Sequence, residues 1–133
     1  MAIVPGYRDL TRPYWEGARA GRLLVQHCAA CDRIWHPPLP CCPHCRRSGD
    51  IGWREMSGAG TVYSYTVVTH PTHVQFADRV PYVVAIVALA EGPRLVTGIT
   101  GCAPRDVRIG MPVRATFVPV NDDITLPYFE PPA

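Results

Sequence analysis

The segment that decides the fold reads CAACDRIWHPPLPCCPHC over residues 28–45. It contains two Cys-x-x-Cys pairs, whose members we assign as metal ligands: Cys28, Cys31, Cys42 and Cys45. A tetrahedral Zn²⁺ binds four thiolates at about 2.3 Å, and each Cys-x-x-Cys turn supplies two of them. Ten residues separate the pairs, enough for the chain to extend, turn at Pro37-Pro38 and return. The segment therefore predicts a small zinc ribbon.

Disulfide bonds and iron are the alternative uses of these cysteines. Disulfides need an oxidising compartment, and no charged stretch followed by an apolar stretch precedes the segment. We therefore expect a cytoplasmic protein with reduced thiols. Iron stays open as the metal, because four sulfurs also suit a rubredoxin-type site. Four protein ligands leave no position for water, so the metal is expected to be structural rather than catalytic.

The residues next to the two pairs refine this prediction. Cys41 precedes Cys42, but only Cys42 has the required spacing to the next cysteine. We interpret Cys41 and Cys102 as small buried side chains. Asp32 and Arg46 follow the second cysteine of each pair, where a left-handed turn would favour glycine. Arg46 is the less suited of the two, since aspartate adopts that conformation at small cost.

A short helix is predicted before the ribbon. Thr11 is a suitable N-cap, Pro13 suits the first turn and Gly21 suits the end. Tyr14 and Trp15 would then lie on an apolar stripe of a helix with only about two and a half turns, which must dock to be stable. The helix either packs on the ribbon or barrel of its own chain or binds a partner.

The pattern after residue 54 is that of an all-β domain. Segments rich in β-branched and aromatic residues predict five strands, at 61–68, 81–90, 94–100, 111–120 and 125–129. The third and fourth strands are joined by a connection with one short helical turn, at 105–107. A glycine-rich first strand among five favours a mainly β Greek-key barrel of the OB type over a sandwich. We predict three units: an arm and helix in 1–21, the ribbon in 22–54 and the barrel in 55–133.

Composition excludes several classes of function. Thirteen basic residues are nearly balanced by eleven acidic ones, and no apolar run approaches the length of a membrane span. The chain contains no lysine, which excludes Schiff-base chemistry and a Walker-type lysine. It also lacks a Gly-x-Ser-x-Gly elbow, and no serine has a sequence context that would activate it. We therefore predict no catalytic residues on this chain.

The order of motifs resembles a family of OB-fold subunits with an N-terminal rubredoxin-like zinc ribbon, long described as a domain of unknown function. The resemblance runs from about Tyr14 to Pro131. Its motifs are Tyr14-Trp15, the two Cys-x-x-Cys pairs, Pro37-Pro38, SGAGTVYSYT at 57–66, PYVVA at 81–85, IGMPV at 109–113 and LPYFEP at 126–131. The family usually has glycine where Asp32 and Arg46 stand, and often arginine where Leu39 stands.

The resemblance implies a partner protein. Members of the family look like accessory subunits or fused domains of thiolase-like enzymes that act on acyl-CoA thioesters, namely thiolases, retro-aldolases and acyltransferases. By this resemblance the chain is a non-catalytic subunit that stabilises a thiolase-like partner, in a heterotetramer, and helps to form the acyl-CoA entrance. Zn²⁺ would be the structural cofactor and acyl-CoA the substrate of the complex.

The loop between the first two barrel strands carries a suggestive cluster: His70, His73, Phe76, Asp78 and Arg79. Loops at this place in OB folds bind ligands. One interpretation is an ordinary surface loop with hydrogen-bonded histidines. The functional hypothesis is that Phe76 and the histidines reach the partner's active-site mouth, with Arg79 facing a CoA phosphate as a bidentate donor.

Two other functions stay open. The chain would bind single-stranded nucleic acid if Tyr63, Tyr65 and Tyr82 served as stacking platforms, although the balanced charge disfavours a basic groove. A free-standing enzyme would use His70 or His73 as acid and base, and a related carrier would bind CoA alone.

Overall fold

A computed structural model describes residue 5 and residues 8–132 of the chain. Its elements are helix α1 (Arg12–Arg19), ribbon strands β1 (Leu24–Cys28), β2 (Arg33–Trp35) and β3 (Ile51–Glu55), and barrel strands β4 (Ala59–Val68), β5 (Tyr82–Leu89), β6 (Arg94–Ile99), β7 (Pro112–Pro119) and β8 (Thr125–Glu130). Two 3₁₀ turns, Val74–Phe76 and Pro104–Asp106, lie in the connections. No helix in this described part of the chain is long and apolar enough to cross a membrane. The predicted mainly β fold class is confirmed.

The five barrel strands close in the order β4-β5-β6-β8-β7, and β7 pairs back onto β4. Neighbouring strands are antiparallel except β6 and β8, which run parallel with Ile99 beside Phe129. The connection at 100–111 passes the position that β8 fills and contains the second 3₁₀ turn. This is the predicted five-stranded OB-type barrel with its non-β connection between the third and fourth strands.

Strand β4 bends because it pairs with β5 along most of its length and with β7 at its start. A bulge at Tyr63 shifts the register between β4 and β5. A β-carbon on Gly60 would lie 2.7 Å from the carbonyl oxygen of Ala88, so the two strands approach too closely there for a larger residue. Glycine at the start of this predicted glycine-rich strand thus permits the close approach of β4 and β5.

The apolar core is continuous from α1 through β1 into the barrel. Val87 and Phe129 are fully enclosed in the barrel, and Leu23 and Val25 from the start of the ribbon join the same cluster. Full burial of such a side chain stabilises the fold by roughly 1.5–3 kcal/mol. Tyr14 also belongs to this cluster, and burial raises the pKa of its phenol to about 12. Helix α1 therefore docks on its own chain.

Helix α1 begins and ends close to where the sequence predicts. Thr11 occupies the N-cap position, but its hydroxyl accepts the N–H of Arg8 instead of a helix N–H. Gly21 follows the helix with φ 76°. The N–H groups of Gly21 and Arg22 donate to carbonyls of the last turn at 3.0 and 2.8 Å, which is the Schellman arrangement.

The ribbon is a three-stranded antiparallel sheet with β1 in the centre. Gln26 on β1 is buried, and its Oε1 accepts the indole N–H of Trp35 at 2.7 Å and the backbone N–H of Leu39 at 2.6 Å. One amide oxygen therefore ties the sheet to the turn that follows Pro37-Pro38. This turn was predicted from the proline pair.

Candidate metal centre and barrel groove

The structure brings the four predicted ligand sulfurs together. The Sγ atoms of Cys28, Cys31, Cys42 and Cys45 all lie within 4.8 Å of one another. The Cys28–Cys45 and Cys31–Cys42 sulfur distances are both 3.6 Å. A tetrahedral ion at about 2.3 Å from each sulfur requires sulfur–sulfur distances of about 3.8 Å. The donor set therefore fits Zn²⁺, which would cross-link the two turns of the ribbon when bound.

The two Cys-x-x-Cys turns share one backbone design. The N–H of Asp32 donates to the carbonyl of Cys28 at 2.8 Å, and the N–H of Arg46 donates to the carbonyl of Cys42 at 2.9 Å. Asp32 and Arg46 have φ of 58° and 67°, so both adopt the left-handed conformation that their positions predicted. The Asp32 carboxylate also accepts from the His27 ring at 2.7 Å, which lowers its pKa.

Cys42 is the ligand whose thiolate is best supported by its surroundings. The backbone N–H groups of His44 and Cys45 both donate to its sulfur at 3.4 Å. Burial alone would raise the pKa of the Cys42 thiol, but these donors, together with the side chains of Cys31 and Cys45, outweigh burial and lower the pKa to about 6. The His44 ring accepts from Arg33 at 3.5 Å, and its nitrogens are not among the clustered ligand atoms.

The two remaining cysteines lie outside the cluster. Cys41 is exposed whereas Cys42 is fully buried, so the expectation that Cys41 is buried was wrong. Only one of two adjacent side chains can face the sulfurs, and Cys41 faces solvent. Cys102 is half-buried against the barrel core. Its pKa is raised by desolvation, with a smaller effect from Asp106.

A groove of about 720 Å³ lies on the surface of the barrel. It is bordered by α1, the loop between β4 and β5, strands β5, β6 and β8, and the turn between β7 and β8. The side chains that define it are Trp15, Phe76, Arg79, Tyr82, Val96 and Tyr128. We call it the barrel groove. Its volume is within the range of small-molecule and cofactor sites.

The barrel groove brings together two residue pairs that the sequence suggested separately. Tyr14 and Trp15 of α1 line one side, and Phe76 and Arg79 of the β4–β5 loop line another. The Tyr14 ring is buried, so only the half-buried Trp15 leaves an appreciable surface open. The Phe76 ring stands 6.0 Å from Tyr82 at the start of β5, and the Arg79 guanidinium lies 5.7 Å from the Phe76 centroid.

The two loop histidines lie outside the residues that line the barrel groove. His73 has a local role, because its Nδ1 accepts the N–H of Gln75 at 3.1 Å and caps the first 3₁₀ turn. Its ring also stands edge-on to Phe76, with centroids 6.4 Å apart. His70 is exposed on the same loop. The ordinary-loop interpretation therefore describes His73, which supports the position of Phe76.

Sequence reasoning missed the floor of the barrel groove. Val96 on β6 and Tyr128 on β8 are far from the loop in sequence. A β-carbon on Gly98 would lie 2.6 Å from the Tyr128 ring, so the ring lies directly over this glycine. The available signal was Tyr82–Leu89, whose eight residues are all apolar or aromatic. A barrel strand with one face in water normally alternates apolar and polar residues.

The three tyrosines considered for base stacking lie in three different surroundings. The Tyr63 ring is covered by the Arg94 guanidinium, whose Cζ lies 3.9 Å from the ring centroid. Tyr65 packs against the barrel core, and Tyr82 lines the barrel groove. Stacking of successive bases needs aromatic faces along one basic track. The arrangement thus gives no support to the nucleic-acid alternative.

Comparison with known proteins identifies the family. Residues 15–51 match the family described as "ChsH2, rubredoxin-like zinc ribbon domain", and residues 53–118 match "ChsH2, C-terminal OB-fold domain". A DUF35 domain-containing scaffold protein of Methanocaldococcus jannaschii is 40% identical over 101 residues, covering 76% of this chain and 71% of the relative. The chain belongs to the DUF35 family. The resemblance noted from the sequence motifs is confirmed.

Two further relatives have names that refer to enzymes. A chain of the solved "Ltp2-ChsH2(DUF35) aldolase" is 45% identical and superposes with a TM-score of 0.87, covering 96% of this chain and 98% of that one. A "Probable enoyl-CoA hydratase alpha subunit" of Thermomonospora curvata is 48% identical over 120 residues, which are 89% of this chain and 36% of that protein. The DUF35 chain thus spans about a third of the hydratase subunit.

Proposed function

We propose that this chain is a non-catalytic accessory subunit of a thiolase-like acyl-CoA enzyme, either a thiolase, a retro-aldolase or an acyltransferase. The observation that carries the proposal is the likeness, over nearly the whole chain, to the DUF35 chain of the Ltp2-ChsH2(DUF35) aldolase. The subunit stabilises its partner in a heterotetramer and helps to form the acyl-CoA entrance.

The chemistry of the described residues supports a role without catalysis. The four clustered cysteine sulfurs would saturate a tetrahedral ion and leave no position for a substrate. The His73 ring accepts a hydrogen bond from the backbone N–H of Gln75, which holds the 3₁₀ turn Val74–Phe76. We therefore assign the reacting groups to the thiolase-like partner.

The β4–β5 loop is the part of the chain that we assign to the acyl-CoA entrance. Phe76 and Arg79 border the barrel groove, and the Arg79 guanidinium is exposed. We propose that Arg79 binds a CoA phosphate, for which its planar fork is suited. Phe76 forms the adjoining wall, and His70 and His73 reach the partner's active-site mouth from the same loop, outside the barrel groove. Tyr14-Trp15 supports the opposite side.

Co-expression tests the proposed function directly. The tagged chain is produced with Ltp2 and, separately, with each thiolase-like protein from its own genome. We expect one of them to co-purify as a two-plus-two assembly by light scattering, with acyl-CoA turnover that neither protein shows alone. Turnover by the isolated chain, or failure of every thiolase-like protein to assemble with it, would overturn the proposal.

Loop variants in that complex test the entrance. Arg79→Ala should raise KM for acyl-CoA about tenfold, the loss of roughly 1.4 kcal/mol, while the assembly stays intact. Arg105→Ala, an exposed arginine on the β6–β7 connection, is the control and should leave KM unchanged. His73→Ala should also raise KM, and His73→Asn should restore it by supplying a new cap acceptor. Unchanged kinetics in Arg79→Ala would remove the phosphate role.

A further inference from the structure

The outer side of strand β5 is apolar, unlike that of a barrel strand in contact with water. Val83, Ala85, Val87 and Leu89 point into the core, as their burial shows. The alternate residues Tyr82, Val84, Ile86 and Ala88 face outward and are half-buried. An antiparallel strand with one wet face normally places polar side chains there. The residue pattern of β5 is therefore typical of a strand that is covered on both sides.

The apolar surface continues across β6 and β8. Val96 on β6 pairs with Ile86 on β5 and is 71% exposed. The Tyr128 ring on β8 lies over Gly98 and extends the surface, and Val118 at 37% exposure borders it. We call this surface the β5–β6–β8 face. Contiguous exposed apolar surface of this kind is typical of an interaction site.

The charge along the barrel groove, which forms part of this surface, argues against pairing with a second copy of the chain. Among the described residues that line the barrel groove, Arg79 is the single charged one and none is acidic. A two-fold contact would place the same patch on both sides. Each copy would then bring one guanidinium to an apolar contact without a carboxylate to pair with it, which is unfavourable.

We infer that the β5–β6–β8 face is the surface on which the thiolase-like subunit docks, through an apolar patch of its own. Arg79 stays at the edge of this contact, where the phosphates of acyl-CoA bound to the partner neutralise it. This inference rests on the proposed function and deepens it, since it names the side of the barrel that the partner covers. Trp15 of α1 borders the same contact.

A matched pair of charge substitutions tests the docking face in the assembled complex. Val96 and Ile109 are both 71% exposed, but only Val96 lines the barrel groove. We expect Val96→Glu to weaken the assembly at least 100-fold, measured as Kd by interferometry, and Ile109→Glu to stay within threefold of the unmodified chain. Zinc content and Tm of both free variants should equal those of the unmodified chain, because both side chains project into solvent.

A second variant changes shape without changing charge. Gly98→Ala adds a β-carbon 2.6 Å from the Tyr128 ring, so the ring must move out of the floor. We expect the Kd of the assembly to rise about tenfold, and Tyr128→Ala should raise it by a similar factor. A normal Kd for all three groove variants would show that the partner docks elsewhere, while the proposed function would still stand.

Measurements on the isolated chain test two other occupants of the face, a second copy of the chain and the acyl group of acyl-CoA. A dimer in light scattering that Val96→Glu converts to a monomer would assign the face to a second copy. Calorimetric binding of acyl-CoA to the isolated chain that Val96→Glu abolishes would assign it to the acyl group. Either result overturns the docking inference. If the unmodified chain assembles with no thiolase-like protein, the proposed function fails and the docking face fails with it.

Discussion

The ribbon and the barrel are stabilised by different physics. The ribbon's own buried cluster contains Cys28, Trp35 and Cys42, whereas the main core cluster contains fourteen buried residues and fills the barrel. So small a cluster cannot offset the conformational entropy of the ribbon segment, at about 1–2 kcal/mol per residue. Metal binding can, since it supplies roughly 10–16 kcal/mol in zinc-finger peptides. The ribbon therefore depends on one ion, and the barrel on many small contacts.

This difference has a structural consequence at the junction of the two regions. Leu23 and Val25, at the start of the ribbon, belong to the barrel's core cluster. The far end of the ribbon, with both Cys-x-x-Cys turns, does not. We expect loss of the metal to unfold the turns first and to leave the barrel folded around the base of β1.

Removing one ligand should have the largest effect. Cys42→Ser deletes a buried sulfur that accepts two backbone hydrogen bonds. We expect loss of bound zinc and at least about 5 kcal/mol of stability, on the order of 20 °C in Tm. Elemental analysis and calorimetry measure both. Cys41→Ser, one residue away and exposed, should change neither quantity. Zinc retained by Cys42→Ser at full Tm would break the distinction between the regions.

Truncating the barrel core should come next. Phe129 is fully enclosed, so Phe129→Ala should cost about 3–5 kcal/mol in urea unfolding. The zinc content should remain that of the unmodified chain, because Phe129 is not part of the ribbon cluster. Val74→Ala, at an exposed position, should stay within about 0.5 kcal/mol. Loss of the metal from a folded Phe129→Ala variant would show that the two regions are not separable.

The buried amide of the ribbon should have an intermediate effect. Gln26→Ala leaves the indole N–H of Trp35 and the N–H of Leu39 without their acceptor. We expect about 2–3 kcal/mol of destabilisation and a shift in tryptophan fluorescence. Gln75→Ala, an exposed glutamine on the β4–β5 loop, is the matched control and should leave both measurements unchanged. An unaltered Gln26→Ala variant would mean that the metal alone organises the ribbon.

Removing the backbone strain in one turn of the ribbon should have the smallest effect, and this effect should be stabilising. Arg46 has φ 67°, which costs an L-residue about 1–2 kcal/mol, more than the entropy cost of glycine. Arg46→Gly should therefore raise stability by about 0.5–1 kcal/mol. Arg47→Gly, the next position and without a positive φ, should lower it. An increase in Tm for Arg47→Gly equal to that for Arg46→Gly would contradict the conformational explanation.

The fold and the metal cluster were predictable because their signals are local. The spacing of Cys42 and Cys45, not of Cys41, brings two sulfurs into one turn. The residues after each pair were assigned to left-handed turns for the same local reason, and both are. The exposure of Cys41 was missed because adjacent side chains share no periodicity that tells which one faces inward.

Sequence alone predicted the family, the ribbon, the five barrel strands and the candidate ligands, since the strand patterns, motifs and ligand spacings each lie within short segments. The barrel groove was decided by tertiary structure. Trp15, Arg79 and Tyr128 meet there only because the barrel closes and α1 docks beside it. The apolar run Tyr82–Leu89 indicates a strand with both faces shielded from water. Which elements would cover its outer face, and where they would stop, depended on contacts between distant parts of the chain.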